Sequence, residues 1–230
     1  LEERRSFLGD AVVETTIAVL QEKLLQLDHS AEDQLAARTA QRKQVTILFA
    51  NITGIATVAN NMPDTNLLDL MNILWKRLDS AITNQDGTID KHMGEAVMGL
   101  FGVPMVHEDD AERAIRAALQ MRAALSDFIA EQTKGEEVSQ AGLAQLGGLQ
   151  IRIGTNTGPV MWGRVGGSEE FTVIGDAVNV ASRLENAAPP GGILVAHDTY
   201  MLVHDRFNVE PLGLVSIRGR SEPIQVYLVL

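Results

Sequence analysis

The sequence contains no cysteine in 230 residues. This absence excludes disulfide bonds, thiolate metal sites and a cysteine nucleophile, and it is compatible with a reducing compartment, so we expect a cytoplasmic location. Basic residues are also few, because 19 Lys and Arg face 30 Asp and Glu, which gives a formal net charge of -11. Binding to nucleic acid needs clustered Lys and Arg that release counterions, so we expect no nucleic-acid partner.

Two nucleotide-binding signatures are missing as well. The glycines between Gly158 and Gly167 do not form G-x-G-x-x-G between a strand and a helix, and G-x-x-x-x-G-K-[ST] does not occur. A dinucleotide-binding fold and a P-loop are therefore unsupported.

No stretch of the sequence predicts a membrane span. Gln44 to Pro63 carries no formal charge, but its Asn and Thr side chains would be costly in hydrocarbon, so we interpret it as a buried strand, a turn and a helix start. The first residues lack the basic and apolar regions of a signal peptide. Because the chain begins at Leu1, we expect it to be a piece of a longer protein.

Apolar and charged residues occur in ordinary proportions, 45% and 21%, which predicts one main soluble domain. We divide the chain into an N-terminal helical or linker segment, 1–43, and a main domain, 44–230. In the first segment apolar residues recur at intervals of four and three, which is typical of a short heptad seam: Val13, Ile17, Leu20, Leu24 and Leu27. This helix could pack on its own domain or form a parallel dimer stalk, and the sequence favours neither.

The stretch from Val45 to Gly102 is the most informative, because its pattern predicts a strand, a helix and a tight pair of strands. Asn51 follows the first strand, and Glu95 lies at the turn between the other two. If these strands are neighbours, Asn51 and Glu95 meet at one end of a sheet, where a magnesium nucleotide could bind. Gly54 ends a predicted turn, Asn51–Gly54, whose exposed N–H groups could hold phosphates.

The other elements follow from periodicity and turn residues. The pattern predicts an amphipathic helix over Asp64–Thr83 and a loop over Gln132–Gly148. We interpret His107–Asp110 as the acidic, capped start of a helix rather than as a metal site. The further predicted elements are strands at Thr88–Met93, Ala96–Phe101, Leu149–Gly154, Gly158–Gly167, Phe171–Ile174 and Ile193–Ala196, a helix at Ala177–Asn186, and final strands around Arg218–Arg220 and Val226–Leu228.

Five segments follow an order shared with one known family: VTILFANITGI, KHMGEAVMGLFG, IRIGTNTG, FTVIGDAVNVASRLE and IRGRSEPIQVY. Through them, Gln44 to Leu230 resembles the catalytic domain of the class III nucleotidyl cyclases, the adenylyl and guanylyl cyclase family. The resemblance implies an α/β fold, a ferredoxin-like α+β sandwich with the N-terminal helix before it, that works as a head-to-tail homodimer. It also implies attached regulatory modules in the full-length protein.

The resemblance implies a reaction in which the 3′-hydroxyl of a nucleoside triphosphate attacks the α-phosphorus and pyrophosphate leaves. In the family two aspartates and a backbone carbonyl hold two Mg²⁺ or Mn²⁺ ions, and these positions match Asn51, Glu95 and Ile52. Asn51 offers no charge, and the side chain of Glu95 is longer than that of an aspartate by about 1.5 Å, one C–C bond. We therefore expect weakened metal binding and low or no activity. On their own, Asn51 would be a turn residue and Glu95 a solvated corner.

The same resemblance implies roles for further residues. Asn179 and Arg183, four apart on one helix face, match the pair that orients the ribose and binds the α-phosphate in the transition state. Lys91 and Thr172 match the base-selecting pair, and because an ammonium suits adenine N1 and a hydroxyl can accept from its amino group, ATP is favoured over GTP. Without the resemblance, Asn179 and Arg183 would lie on the solvent-facing side of a helix, and Lys91 would be a surface lysine of a strand.

The basic C-terminal region matches the family's triphosphate-binding region. Its candidate residues are Arg218 and Arg220, and either one could instead protect an edge strand.

Three functions remain open at this point. The first is an adenylyl cyclase that makes cyclic AMP and pyrophosphate, impaired at its metal positions. The second is a catalytically inactive cyclase homology domain that binds nucleotide or dimerises as a signalling module. The third, a polymerase-like phosphoryl transferase on a related scaffold, fits less well because VNVASR and Lys91 match cyclase motifs specifically.

Overall fold

The computed structural model describes residues 41–60, 64–133, 146–164, 170–216 and 222–230. The predicted N-terminal helix and most of the predicted loop at 132–148 lie outside these residues. The elements are β1 (Gln41–Thr53), α1 (Ile55–Ala59), α2 (Asp64–Thr83), β2 (Thr88–Met93), β3 (Ala96–Phe101), α3 (Asp110–Gln132), β4 (Gln150–Arg164), β5 (Phe171–Ile174), α4 (Asp176–Ala187), β6 (Ile193–Ala196), α5 (His197–Val203), β7 (Val209–Val215) and β8 (Ile224–Val229).

The strands form one mixed sheet of eight, in the order β2-β3-β1-β4-β6-β8-β7, with β5 paired to β4 outside this order. β1 and β3 pair antiparallel, whereas β4 and β6 pair parallel. The predicted mixed α/β architecture is confirmed. None of the described helices has the length and apolar composition needed to cross a bilayer.

The central strand β1 is buried on both faces, which explains its continuous apolar sequence. Successive side chains of a strand point to opposite sides, so β1 divides its residues between two clusters of buried side chains. Leu48, Ala50 and Ile52 join the larger cluster with α2 and α3. Val45, Ile47 and Phe49 join the smaller one, which includes Val173 of β5.

Contacts divide the chain into two units. One comprises Arg42–Trp162 and Thr172–Leu230, and the other comprises Leu1–Gln41 and Gly163–Phe171. Within the second unit, the guanidinium carbon of Arg164 lies 5.1 Å from the ring centre of Phe171. The buried clusters and the candidate site belong to the first unit.

Two predictions about strands and turns were wrong. The predicted turn at Asn51–Gly54 is strand as far as Thr53, because Ile52 donates a backbone hydrogen bond to Glu95 on the neighbouring chain segment. The predicted strands at 149–154 and 158–167 are, over their described residues, one strand, β4 (Gln150–Arg164). Glycines punctuate it, but they lie in paired strand rather than in a turn.

The elements α5 and β7 were missed because their sequences carry weak patterns. α5 has only seven residues, and β7 contains Pro211 and Gly213, which break a strand pattern. Pro211 is tolerated because β7 stands last in the strand order and pairs only with β8 among the described strands.

The acidic start of α3 lies where it was predicted, but its side chains do not cap the helix. Asp109 is the N-cap residue and makes no side-chain capping bond. Its carboxylate instead accepts from Arg113 Nε at 2.6 Å, which lowers the pKa of Asp109. Asp110 accepts from the backbone N–H of His107 at 2.9 Å. The predicted cap is therefore replaced by contacts with neighbouring residues.

Helix α4 lies closely on β4, because Gly154 leaves room for it. A Cβ at Gly154 would lie 2.4 Å from the carbonyl oxygen of Ala181 and 2.1 Å from the backbone nitrogen of Glu185, so no other residue fits. This close approach also buries Glu185, which is only 4% exposed. Burial raises the pKa of Glu185, and the charge of Arg152 opposes the shift.

We expect Glu185→Gln to change how stability depends on pH. The raised pKa means that the folded chain binds more protons than the unfolded chain above the ordinary value of 4.5. The free energy of unfolding of the natural chain therefore falls as the pH rises from 4.5 through the folded-state pKa. The glutamine variant lacks this loss, so it gains stability relative to the natural chain over the same window.

Thermal unfolding of both chains across this pH range measures the effect. Glu210→Gln makes the same charge change at an exposed position of β7 and is the matched control. A melting-temperature difference between Glu185→Gln and the natural chain that stays constant with pH would contradict this expectation.

Candidate active site

The two residues expected at the metal positions lie at one end of the β1–β3 pair. Asn51 is opposite Ala96 in the antiparallel register, and Ile52 N–H donates to the carbonyl oxygen of Glu95 at 2.9 Å. Gly94 and Glu95 form the turn between β2 and β3, and Gly94 has a φ of 61°. The expected meeting of Asn51 and Glu95 is therefore observed at the level of the backbone.

The side chains of this pair differ in their surroundings. Asn51 Oδ1 is buried and has no hydrogen-bond partner among the described residues, so Asn51 does not bond its own backbone as a turn residue would. Glu95 is exposed. A buried oxygen without a partner is costly, and a bound cation would remove that cost.

The donors present suit a hard divalent cation, though weakly. Asn51 supplies a neutral amide oxygen, Glu95 supplies a carboxylate, and both are oxygen ligands of the kind that Mg²⁺ prefers. No group of three or more His, Cys, Asp or Glu that could hold a metal occurs in the described part of the chain. Because Asn51 is neutral, the charge at this position is lower than two aspartates would give.

Gly54 is the N-cap residue that immediately precedes α1. Its φ of 93° is a left-handed conformation that glycine adopts without strain. A Cβ there would lie 2.6 Å from the carbonyl oxygen of Gly148. Both constraints require glycine at this position, immediately after the strand that carries Asn51.

The predicted base-selecting pair is brought together by the fold. Lys91 lies on β2 and Thr172 on β5, 81 positions later, and Lys91 Nζ donates to Thr172 Oγ1 at 3.3 Å. The side chain of Lys91 is 46% exposed, so its ammonium can reach a ligand. The neighbouring His92 bonds Asp79 on α2 instead.

A third residue joins this pair and was not predicted. Asp90 Oδ2 accepts from Thr172 Oγ1 at 3.0 Å and lies 3.2 Å from Lys91 Nζ. Alternation along a strand places Asp90 and Lys91 on opposite faces, so no sequence pattern groups them. The register of β2 skips Asp90 between Ile89 and Lys91, and this bulge explains how adjacent residues reach the same hydroxyl.

The predicted transition-state pair lies on α4. Asn179 is exposed and Arg183 is partly exposed, while Val180, Ala181 and Leu184 on the other face are buried. The side chains of Asn179 and Arg183 form no hydrogen bond or ion pair with another described residue. They are thus available to a ligand or to a second chain.

The structure leaves part of the predicted site unlocated. Arg218 and Arg220 lie outside the described residues. Among the described residues, no hydrogen bond joins the Asn51–Glu95 end to Lys91 and Thr172 or to Asn179 and Arg183.

The chain matches the family model for the adenylate and guanylate cyclase catalytic domain over residues 37–230. It is 30% identical over 202 residues to an adenylate cyclase of Anabaena cylindrica, and the match covers 85% of this chain and 38% of that protein. It is 27% identical over 186 residues to the membrane guanylyl cyclase of Dictyostelium discoideum, and the match covers 80% of this chain and 11% of that protein. The chain therefore spans well under half the length of these relatives.

Among solved structures, the adenylyl cyclase CyaB from P. aeruginosa is similar, with a TM-score of 0.75 and 32% identity. The match covers 84% of this chain and 96% of that one. Fold, motif order and these similarities agree, and the chain belongs to the adenylate and guanylate cyclase catalytic domain family. The resemblance inferred from the sequence is confirmed.

Proposed function

We propose that this domain converts ATP into cyclic AMP and pyrophosphate, at a low rate, in a head-to-tail homodimer. The observation that carries the choice of ATP is the Lys91–Thr172 pair, held at 3.3 Å on two strands. The ammonium of Lys91 donates, so it suits N1 of adenine, which accepts, and the hydroxyl oxygen of Thr172 can accept from the 6-amino group. Guanine presents the reverse pattern at these two positions.

In the reaction the 3′-oxygen forms a bond to the α-phosphorus, the bond to the pyrophosphate oxygen breaks, and the hydroxyl proton passes to solvent. Asn179 orients the ribose, and Arg183 binds the α-phosphate as negative charge moves onto the leaving pyrophosphate. Their exposed position on α4, free of bonds to other described residues, supports these roles.

Asn51, the carbonyl of Ile52 and Glu95 would hold Mg²⁺ or Mn²⁺ beside the polyphosphate. When bound, such ions lower the pKa of the attacking hydroxyl and neutralise phosphate charge. The unpartnered Asn51 Oδ1 supports this placement. With one neutral ligand in place of a carboxylate, we expect binding to be weak and turnover to be slow.

We place the parts of the site on two chains, as the family resemblance implies. Asn51 and Glu95 of one chain would face Lys91, Thr172, Asn179 and Arg183 of the other, with Gly54 allowing phosphates close to the backbone. Arg218 and Arg220 are candidates for contacts with the triphosphate. Regulatory modules in the full-length protein belong to the same proposal, because the chain covers only part of its relatives. A cytoplasmic location is also part of the proposal.

A second candidate function is an inactive domain that binds nucleotide or dimerises. Asn51 favours it because a neutral amide replaces a charged ligand, and Glu95 favours it because its longer arm shifts the remaining carboxylate. Incubation of the purified chain with ATP or GTP and Mn²⁺, followed by chromatography of the products, distinguishes the two. Cyclic AMP supports the cyclase, and nucleotide-dependent thermal stabilisation without product supports the inactive domain. Cyclic GMP as the main product would contradict the proposed base choice.

A further inference from the structure

Asp90 forms a compact polar triangle with Lys91 and Thr172. Thr172 Oγ1 lies 3.0 Å from Asp90 Oδ2, Lys91 Nζ lies 3.2 Å from the same oxygen, and Lys91 Nζ lies 3.3 Å from Thr172 Oγ1. We propose that Asp90 is a positioning residue that sets the purine preference of the site by fixing the hydroxyl of Thr172 as an acceptor. The inference rests on the proposed nucleotide-binding function and deepens it.

The hydrogen positions in the triangle follow from what each group can do. An ammonium only donates and a carboxylate only accepts, whereas a hydroxyl has one proton to donate and two lone pairs. The proton of Thr172 must therefore point to Asp90 Oδ2, because Lys91 cannot accept it. One lone pair of Thr172 receives the bond from Lys91, and the other remains for a ligand.

This arrangement fixes which hydrogen-bond donor and which acceptor Lys91 and Thr172 offer to a ligand. Lys91 uses two of its donors on Asp90 and Thr172 and keeps one for a ligand, while Thr172 can only accept from a ligand. With N1 of the purine toward Lys91 and the 6-substituent toward Thr172, an amino group at position 6 is accepted and a carbonyl is rejected. Without Asp90, the hydroxyl of Thr172 could rotate and donate to a carbonyl.

The burial of Asp90 supports a role beyond stability. Its side chain is 0% exposed, and its second oxygen, Oδ1, is buried without a hydrogen-bond partner among the described residues. Burying a carboxylate with one unpaired oxygen is costly, so an apolar residue would stabilise the fold better. The bulge in β2 at Asp90 is a further local cost, and bulges commonly redirect side chains beside functional sites.

The test compares the binding of ATP and ITP to the full chain by calorimetry with Mn²⁺. ITP carries a carbonyl at position 6 and N1–H but lacks the 2-amino group of guanine, so the pair isolates the edge that Thr172 reads. We expect the natural chain to prefer ATP and Asp90→Ala, which leaves no acceptor for the Thr172 hydroxyl, to lower the ratio of the ITP to the ATP dissociation constant about tenfold, the effect of losing one hydrogen bond's discrimination. Asp90→Leu, which also lacks an acceptor, should act in the same direction, and it keeps the test available if Asp90→Ala does not fold.

A double-mutant cycle with Thr172→Val shows whether Asp90 acts through the hydroxyl. If it does, the double variant Asp90→Ala, Thr172→Val is no less selective than Thr172→Val alone. Asp79→Asn, which removes the same charge from the partner of His92, is the matched control and should leave the ratio within about twofold.

The outcomes separate the inference from the function on which it rests. ATP preference that is unchanged in the folded Asp90 variants, or a double variant that loses further selectivity, would overturn the role of Asp90 and leave the proposed function standing. A natural chain that prefers ITP overturns the role as well. If the natural chain and a chain with Asn51→Asp and Glu95→Asp bind neither nucleotide, the proposed function fails and the inference fails with it.

Discussion

Replacing Asn51 and Glu95 together with aspartate is expected to raise Mn²⁺-dependent formation of cyclic AMP by about 100-fold or more. The change at position 51 replaces a neutral amide, whose oxygen is buried, with a charged carboxylate, and the change at position 95 shortens the arm of the acid. A metal ion contributes several kcal/mol of transition-state stabilisation when charged oxygens hold it in place. Product formation by the purified natural chain and the variant, at equal protein and metal concentrations, measures the ratio.

The control for this comparison is Asn60→Asp combined with Glu210→Asp, which makes the same two chemical changes at exposed positions. It should turn over no faster than the natural chain. If the variant at positions 51 and 95 is folded and dimeric but is equally inactive, these positions do not limit the reaction, and the inactive-domain proposal gains support.

The second large effect is expected from Arg183→Ala in the chain that carries both aspartate changes. Loss of the guanidinium removes a charged hydrogen bond to the α-phosphate, so activity should fall by about 1,000-fold. Stability should change little, because Arg183 forms no ion pair with another described residue. Initial rates and thermal unfolding measure the two effects, and Arg122→Ala on α3, at a similarly half-buried helical position, is the control.

Mixing chains then tests whether the site is shared between subunits. The Arg183→Ala chain with both aspartates supplies intact metal positions, and the natural chain supplies Arg183. In a head-to-tail dimer one site of each mixed pair contains both, so adding natural chain should restore activity to a plateau. A mixture that stays as inactive as its components would contradict the head-to-tail arrangement.

The sequence predicted the centre of the fold well because there its local signals agree with the tertiary structure. The helix at Asp64–Thr83 and the strands at Thr88–Met93 and Ala96–Phe101 have the predicted bounds, since strong periodicity and a glycine turn specify them. The junction of Asn51 with Glu95 followed from this hairpin and the crossover before it.

Other features depend on contacts that no local pattern reveals. The bulge at Asp90 arises from pairing with β3, so the triangle with Lys91 and Thr172 required coordinates. The acidic residues at 108–110 predicted a helix capped by their side chains. The helix does begin there, but the carboxylate of Asp109 accepts from Arg113 instead of capping the helix. The extension of β1 through Thr53 likewise depends on a hydrogen bond to a residue more than forty positions away.

The bond from Ile52 N–H to the carbonyl of Glu95 uses backbone atoms only, so it joins the two segments whatever side chains they carry. Mutations at positions 51 and 95 can therefore abolish or restore chemistry without loosening this end of the sheet. A few nucleotide changes are therefore enough, during evolution, to exchange an active enzyme for a catalytically inactive signalling domain with the same fold. Such changes preserve the fold and the thermal stability of the domain, so only a measurement of turnover distinguishes the two forms.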